Sequence, residues 1–236
     1  MTALLFSLLV LLVNPSAPAE THPWEGGWLG ETEDGEALMA IVTPGFFSIT
    51  HYQKEPSGFG HVLGGSWKAV EDGRVEITYE FHSAKSEMVG TTEEWEWSQM
   101  ADVFVIHDYA FEREDDGTPG ALQGAWLITG RERNGELRMR TPGARKTMKI
   151  LSGSLFQWIA YNTDTGEFLG TGGGHYTTEK GNYTENIEFF SRDASRVGAS
   201  LEFRYSIREE AWQHSGLNSR GEPLFEIWEQ RTMLGI

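Results

Sequence analysis

The polar residues that could do chemistry are concentrated near the C-terminal end of the chain. Within residues 172–231, both histidines and three of the nine glutamates stand out among aromatic side chains; they are His175, Glu185, Glu188, His214 and Glu226. A histidine beside a carboxylate can move a proton as a general acid or base, and the same groups can hold a small ligand. A nucleophile is not indicated, since the chain has no cysteine and no Gly-x-Ser-x-Gly sequence. We therefore assign no catalytic residue and expect a binding site.

Aromatic rings beside carboxylates suit a flat apolar or aromatic ligand. The predicted ligand-binding set adds four aromatic residues to the five polar ones; they are Trp158, Tyr176, Tyr183 and Trp228. Because side chains alternate between the two faces of a strand, Glu185 and Glu188 point in opposite directions, and the sequence leaves open which of them faces inward. The simpler alternatives are an ion pair between Glu188 and Arg192 at a barrel rim, and core packing for each tryptophan.

The seven histidines are scattered along the chain, at positions 22, 51, 61, 82, 107, 175 and 214. No two of them are two or four residues apart, as neighbouring ligands on one strand or one helical turn would be. The spacing predicts no metal site, although a closed barrel can bring distant ligands together. No cofactor is predicted either, since the glycines at 172–174 lack the lysine and the following helix of a phosphate-binding loop.

The elements that must position these residues are strands. In the first half, short runs rich in β-branched and aromatic residues are separated by Gly, Asp, Pro and Ser; they cover 37–42, 46–52, 65–70, 74–82, 91–97 and 103–112. Helical periodicity over a dozen residues is absent. The sequence therefore predicts an all-β fold of antiparallel strands.

The chain repeats itself at an offset of 109 residues, which becomes 108 after one turn. The matching positions are apolar, aromatic or glycine; Met39, Ile41, Phe47, Tyr52 and Gly64 correspond to Met148, Ile150, Phe156, Tyr161 and Gly173, and Phe81 corresponds to Phe189. Such a pattern indicates a duplicated fold. We expect a signal peptide at 1–19, a first barrel at 20–117 and a second at 118–236. One merged sandwich or barrel is the alternative.

Each copy begins with a Gly-x-Trp sequence and ends with an arginine after an aromatic strand. The tryptophans are Trp28 and Trp126, and the arginines are Arg113 and Arg231. This pairing resembles the lipocalins and the wider calycin group. The resemblance implies two tandem lipocalin-like barrels, in which the arginine lies across the indole and closes the barrel end through a cation–π contact.

The second copy carries a longer pattern, a Gly-Gly-x-Tyr strand followed by Tyr-x-Glu-x-x-Glu-Phe at 183–189. Over about residues 145–231 it resembles small lipocalin-like domains of exported bacterial proteins of unassigned activity. The resemblance implies a cavity for a small apolar ligand and implies no reaction. The first copy has Ile77 where the second has Glu185, so any function of that carboxylate belongs to the second copy.

The N-terminal segment and the absence of cysteine predict where the protein resides. Residues 4–13 are an apolar run too short to span a bilayer, and Ala17-Pro18-Ala19 offers a cleavage point, although no basic residue precedes the run. We expect a secreted or periplasmic protein with no stable membrane insertion after cleavage; the alternative is an anchor that stays attached. With no cysteine, a disulfide framework, thiolate metal sites and a lipid-carrying cysteine are excluded.

The two copies also differ in net charge. The net charge is −16, and residues 20–118 hold 21 acidic and 5 basic side chains, while residues 119–236 hold 14 of each. An acidic protein of this kind repels phosphate backbones, so nucleic-acid binding is not expected. The second copy opens with a basic edge; it consists of Arg131, Arg133, Arg138, Arg140, Arg145, Lys146 and Lys149. We predict that this edge docks on the acidic first copy; the alternative is a solvated strand edge.

Three functions compete on the sequence alone. The first is an exported, non-enzymatic binding protein that holds a small apolar or aromatic ligand in the second barrel. The second is an acid–base enzyme acting on a small extracellular substrate through a Glu–His pair of the second barrel. The third is a structural or interaction module in which both barrels are filled by side chains.

Overall fold

Two closed antiparallel barrels in tandem make up the protein. The computed structural model describes residues 22–71, 73–118, 120–218 and 221–236, so the predicted signal segment 1–19 lies outside the described residues. The first barrel follows chain order; its strands are β1 (Gly26–Glu31), β2 (Ala37–Thr43), β3 (Phe46–Gln53), β4 (Gly58–Glu71), β5 (Arg74–His82), β6 (Thr92–Met100), β7 (Val103–Ile106) and β8 (Tyr109–Asp115). Pairing of β1 with both β2 and β8 closes it.

The second barrel repeats this plan with one added strand. Its strands are β9 (Gly124–Arg133), β10 (Glu136–Met139), β11 (Arg145–Leu151), β12 (Leu155–Asn162), β13 (Glu167–Glu179), β14 (Asn182–Phe190), β15 (Ser200–Arg208), β16 (Ala211–Leu217) and β17 (Pro223–Gln230). Pairing of β9 with β17 closes a ring of eight strands, and β10 extends from β9 as a hairpin. The predicted all-β class and internal repeat are confirmed, and the merged alternative is excluded.

Helical structure is minor in the described residues. It consists of two single 3₁₀ turns, Ser86–Met88 and Ala194–Arg196, and a terminal α1 (Arg231–Leu234). None of the helices found in the described ranges has the length and apolar character needed to cross a membrane.

The predicted strand at 103–112 is wrong, because two strands occupy that range. His107 has a φ of 51° and turns the chain between β7 and β8. Both strands keep the alternation of a half-buried sheet, with Phe104 and Ile106 buried on one and Phe111 on the other. The composition of the run is strand-like throughout, so the sequence pattern did not reveal the turn.

The two barrels pack against each other through the outer faces of β2–β5 and β11–β14. Corresponding residues make reciprocal contacts: the Tyr52 hydroxyl donates to Glu188 at 3.1 Å, and the Tyr161 hydroxyl donates to Glu80 at 2.6 Å. The rings of Phe59 and Phe168, which correspond to each other, stack with centroids 5.8 Å apart. The interface therefore has the pseudo-two-fold form of an isologous dimer, in which one patch meets its own copy.

The core of this interface is apolar. Its buried residues come from both copies and include Met39, Ile41, Phe81, Met148, Ile150 and Phe189. The ion pairs that cross between the copies, among the described residues, involve Arg231 and His175. No ion pair within the described ranges joins the basic edge to the first copy. The contact between the barrels is thus mainly apolar, whereas the sequence predicted that the basic edge docks on the acidic first copy.

Candidate functional site

Four ionisable side chains are buried inside the second barrel. Lys149 of β11, Glu185 of β14, His214 of β16 and Glu226 of β17 are each no more than 5% exposed. Burying an unpaired charge costs several kcal/mol, so these groups must compensate one another. Strand alternation brings all four to the interior, which answers the question left open by the sequence: Glu185, and not Glu188, faces inward.

Lys149 and Glu185 form the first buried pair. The Lys149 ammonium nitrogen lies 2.6 Å from Glu185 Oε1. Four aromatic rings surround the ammonium group at 4.9–5.7 Å from their centroids; they belong to Tyr183, Phe203, Trp212 and Trp228. Ring faces carry negative electrostatic potential, so they add to the stabilisation that the carboxylate provides.

His214 and Glu226 form the second pair, with Nδ1 of His214 3.3 Å from Glu226 Oε2. The Trp228 indole also donates to that oxygen, at 3.2 Å, and Arg131 binds the other carboxylate oxygen. Burial acts to raise the pKa of Glu226, but the His214 hydrogen bond, Arg131 and Lys149 outweigh it and lower the pKa to about 2. Burial, with the nearby Lys149, lowers the pKa of His214. The pair is therefore an ionised Glu226 and a neutral His214 at neutral pH.

A neutral His214 that donates from Nδ1 has a bare Nε2. That nitrogen and the Trp212 indole N–H are both buried and have no hydrogen-bond partner among the described residues. Most buried polar atoms of folded proteins are paired, so each of these two requires an explanation. A small ligand or water that enters the barrel from its open end would supply the missing partners.

The first barrel has no counterpart of these four groups. The strand registers place Ala40, Ile77, Ile106 and Tyr109 at the positions of Lys149, Glu185, His214 and Glu226. Three of the four are fully buried apolar side chains. The fold thus closes without these buried ion pairs, and the four-residue cluster is specific to the second copy.

A cleft of about 860 Å³ opens at one end of the second barrel. Its apolar wall includes Leu201, Phe203 and Leu224, and Glu226 lies at its base. Arg131 and Arg133 line the same cleft together with Glu132 and Glu222, and the two arginines also line an adjoining cleft of about 400 Å³. The buried pairs therefore connect to solvent through Glu226 and Phe203.

Among the residues that the structure describes, the adjoining cleft is lined by arginines and by no carboxylate. Its charged lining consists of Arg131, Arg133, Arg138, Arg140 and Arg145. Arg131 binds Glu226 and Arg138 binds Glu136, while no ion pair of the described residues involves the other three. The pKa of Arg140 is lowered, mainly because burial removes its hydration and secondly because neighbouring arginines repel its charge. Part of the predicted basic edge is thus a concentrated positive surface at the barrel mouth.

Five of the nine predicted ligand-binding residues meet in the barrel interior: Tyr183, Glu185, His214, Glu226 and Trp228. Tyr176 lies beside them, and its hydroxyl donates to the Ser152 carbonyl at 2.7 Å. Trp158 is half-buried next to Phe190, and the Arg192 guanidinium lies 5.6 Å from its ring centroid.

The other two predicted residues lie outside the barrel interior. His175 and Glu188 bind each other at the junction of the two barrels, where His175 Nε2 is 3.2 Å from Glu114. A Glu188–Arg192 pair does not form, because Arg192 donates instead to the Leu169 carbonyl. The two glutamates of β14 therefore have different roles: Glu185 lies in the barrel interior, and Glu188 lies in the contact between the copies.

The barrel ends differ between the copies. In the first, the Arg113 guanidinium lies 4.0 Å from the Trp28 ring centroid, as the resemblance implies. In the second, Gln230 and not Arg231 pairs in register with Trp126 and donates to the Gln123 carbonyl. Arg231 lies one residue further along the chain and faces the first barrel, where it binds both Glu80 oxygens at 2.7 and 3.0 Å. Its assignment to closure of the second barrel is corrected to the contact between copies.

A second polar group lies in the first barrel. Ligand atoms of Glu36, His51 and His61 lie within 4.8 Å of one another, and the His82 ring stacks 6.1 Å from that of His61. Chain spacing did not reveal this group, since the three histidines come from β3, β4 and β5 and meet only when the barrel closes. Lys149 was also missed as an interior residue, because it reads as one of seven basic residues on an edge.

No protein-family model matches the chain, and no curated protein matches it either.

Proposed function

We propose that the protein is an exported, non-enzymatic binding protein and that the second barrel holds a small ligand with an apolar or aromatic body and an acidic group. The observation that carries this proposal is the cleft at the barrel mouth, whose lining combines apolar side chains with arginines and glutamates and which adjoins a second cleft lined by five arginines. Ligand sites are typically concave and apolar, with a few polar groups that fix orientation. The lipocalin-like resemblance of the second copy supports the same conclusion.

The apolar wall would contact the body of the ligand. Phe203 offers a ring face, and Leu201 and Leu224 flank it. The acidic group would bind Arg133, which lines both clefts and is not engaged by Glu226 as Arg131 is. A planar guanidinium binds a carboxylate or phosphate through two parallel hydrogen bonds, and this favours an oxyanion over a neutral polar group.

The two alternatives have less support. An acid–base enzyme would need His214 to reach the substrate; the imidazole does pair with Glu226, but it is 2% exposed and is not among the cleft-lining residues. A filled structural module suits the first barrel, whose interior is packed with large side chains such as Trp28, Trp95 and Phe104. It suits the second barrel less well, because of the open cleft and the unpartnered His214 nitrogen.

Tryptophan fluorescence tests the proposal with two matched probes, naphthalene-2-carboxylate and its uncharged amide. We expect saturable quenching by both, with the acid bound more tightly. Arg133→Gln should weaken binding of the acid by about tenfold, which corresponds to about 1.4 kcal/mol, and leave the amide unchanged. Leu224→Asn should weaken both probes.

Arg208→Gln is the matched control, since Arg208 lies at the far end of β15 from the cleft. Absence of saturable quenching by either probe, or equal binding in the Leu224 variant, would reject the proposed site. Turnover of an ester or amide probe that is lost in His214→Gln would favour the enzyme instead.

A further inference from the structure

One end of the first barrel brings together histidines from three adjacent strands. His51 on β3 pairs in register with His61 on β4, and His82 ends β5 opposite Leu63. Glu36 precedes β2 and reaches the same place, where His51 Nδ1 donates to Glu36 Oε2 at 2.9 Å. Residues 10 to 46 positions apart in the chain thus form one compact group.

We propose that Glu36, His51 and His61 form a binding site for a divalent transition-metal ion such as Zn²⁺. Each side chain offers one ligand atom, and the three atoms lie within 4.8 Å of one another. Two imidazoles and a carboxylate are a recurrent protein ligand set for zinc, with bonds of about 2.0–2.2 Å. The ligand atoms must therefore close in by a short distance when the ion binds.

Two bare nitrogen atoms mark the same place independently. Nε2 of His51 and Nδ1 of His82 are buried and have no hydrogen-bond partner among the described residues. Both residues are 7% exposed, so bulk water does not satisfy them. A bound ion, with a water molecule or His82 at its remaining position, provides a partner for these lone pairs.

The chemistry of the group selects among metals. Imidazole nitrogen suits Zn²⁺, Cu²⁺ and Ni²⁺, whereas Ca²⁺ and Mg²⁺ require mainly oxygen ligands. The His51 and His61 rings are stacked, with centroids 3.8 Å apart, so their lone pairs do not converge until one ring turns. His61 is the ring that turns, since it is only half-buried while His51 and His82 are buried.

Calorimetric titration of the full chain, prepared without a histidine tag, tests the proposal with Zn²⁺. We expect one ion per chain, with no binding of Ca²⁺ or Mg²⁺, and a visible absorption spectrum of low-symmetry coordination with Co²⁺. His61→Ala and His51→Ala should abolish this binding, and Glu36→Gln should weaken it. His107→Ala is the matched control, because His107 is exposed on the turn after β7.

Thermal unfolding distinguishes a variant that has lost only the metal site from one that no longer folds. Metal-free His61→Ala should unfold within a few degrees of the parent chain, and only the parent should gain stability from Zn²⁺. If the His51 variant fails to fold, His61→Gln replaces it in the titration. Unchanged Zn²⁺ binding in the His61 variants, or an equal loss in His107→Ala, would overturn the assignment.

Discussion

At the scale of single residues, the second barrel is defined by charges placed where the first has apolar side chains. The Lys149–Glu185 pair is enclosed by aromatic rings, and its counterparts are Ala40 and Ile77. Replacing a buried ion pair by apolar groups is often neutral or stabilising, whereas removing one partner is costly. The chain contains both arrangements at equivalent positions, a buried ion pair in the second barrel and an apolar pair in the first.

The buried pair gives a direct stability prediction. Lys149→Met should lower the free energy of unfolding by about 3–5 kcal/mol, because it leaves Glu185 buried and without its cation. Combining it with Glu185→Leu should recover most of that loss, since the first barrel shows that an apolar pair fits. Urea unfolding of the single and double variants measures both values, and equal losses in the two would contradict the coupling.

Glu226 should contribute an acid-sensitive part of the stability. Its pKa is about 2 in the folded barrel against an ordinary value of 4.5, so the unfolded chain takes up its proton first as the pH falls. The contribution, on the order of 3 kcal/mol, is complete above pH 4.5 and is lost as the pH falls towards 2. Unfolding measured from pH 6 to pH 2 should therefore decline less steeply in Glu226→Gln than in the parent; parallel curves would show that Glu226 is not the cause.

At the scale of elements, the second barrel adds one hairpin to the plan of the first and shares one bulge with it, at Gly173–Gly174 and at Gly64–Gly65. The β9–β10 hairpin carries Arg131, Arg133 and Arg138 beyond the barrel wall, while the first barrel turns directly from β1 into β2. Between β13 and β14 the register shifts at Gly173 and Gly174. The hairpin creates the positive surface at the mouth, and the bulge bends the wall that carries Glu185.

The bulge requires glycine at position 174. Its φ is +152°, and a Cβ there would lie 2.1 Å from the Asn186 carbonyl oxygen. Gly174→Ala should therefore lower the free energy of unfolding by about 1–3 kcal/mol through backbone strain, and the steric overlap adds to this. Gly143→Ala is the control, because a Cβ at Gly143 meets nothing within 4 Å; similar stability of the two variants would show that the bulge tolerates a side chain.

At the scale of the whole molecule, duplication has produced an internal dimer. Tyr52 with Glu188 and Tyr161 with Glu80 repeat one contact across a pseudo-two-fold axis, and Arg231 adds an asymmetric ion pair to one side. Burial acts to raise the pKa of Glu80, but Arg231 outweighs it and keeps the carboxylate ionised. We expect the apolar centre of this contact, rather than charge, to hold the barrels together.

A cut between the barrels tests that conclusion. A protease site introduced beside the exposed Ala121 should allow the folded protein to be cleaved without separating its halves. Because apolar contacts are not screened by salt, the halves should stay associated at about 1 M NaCl, where the Debye length is about 3 Å. Gel filtration after cleavage measures this; separation as the salt rises would instead show that ion pairs such as Arg231–Glu80 hold the halves together.

The scaffold of this protein can be predicted from its amino-acid sequence alone. The strand-like runs, the glycines at the turns and the repeat at an offset of 109 residues depend on local propensity and on the spacing of core residues. Both of these properties are visible in the linear sequence. The same reading selected Tyr183, Glu185, His214, Glu226 and Trp228, because polar residues at alternating strand positions conflict with a packed interior.

The contacts between these groups, and their other partners, depend on the tertiary fold. It directed Glu188 and His175 to the contact between copies, turned Lys149 inward to Glu185, and replaced Arg231 by Gln230 at the barrel end. It also brought His51, His61 and Glu36 together. The physical reason is that barrel closure and the packing of two barrels pair residues far apart in the chain, and neither strand spacing nor composition records those pairings.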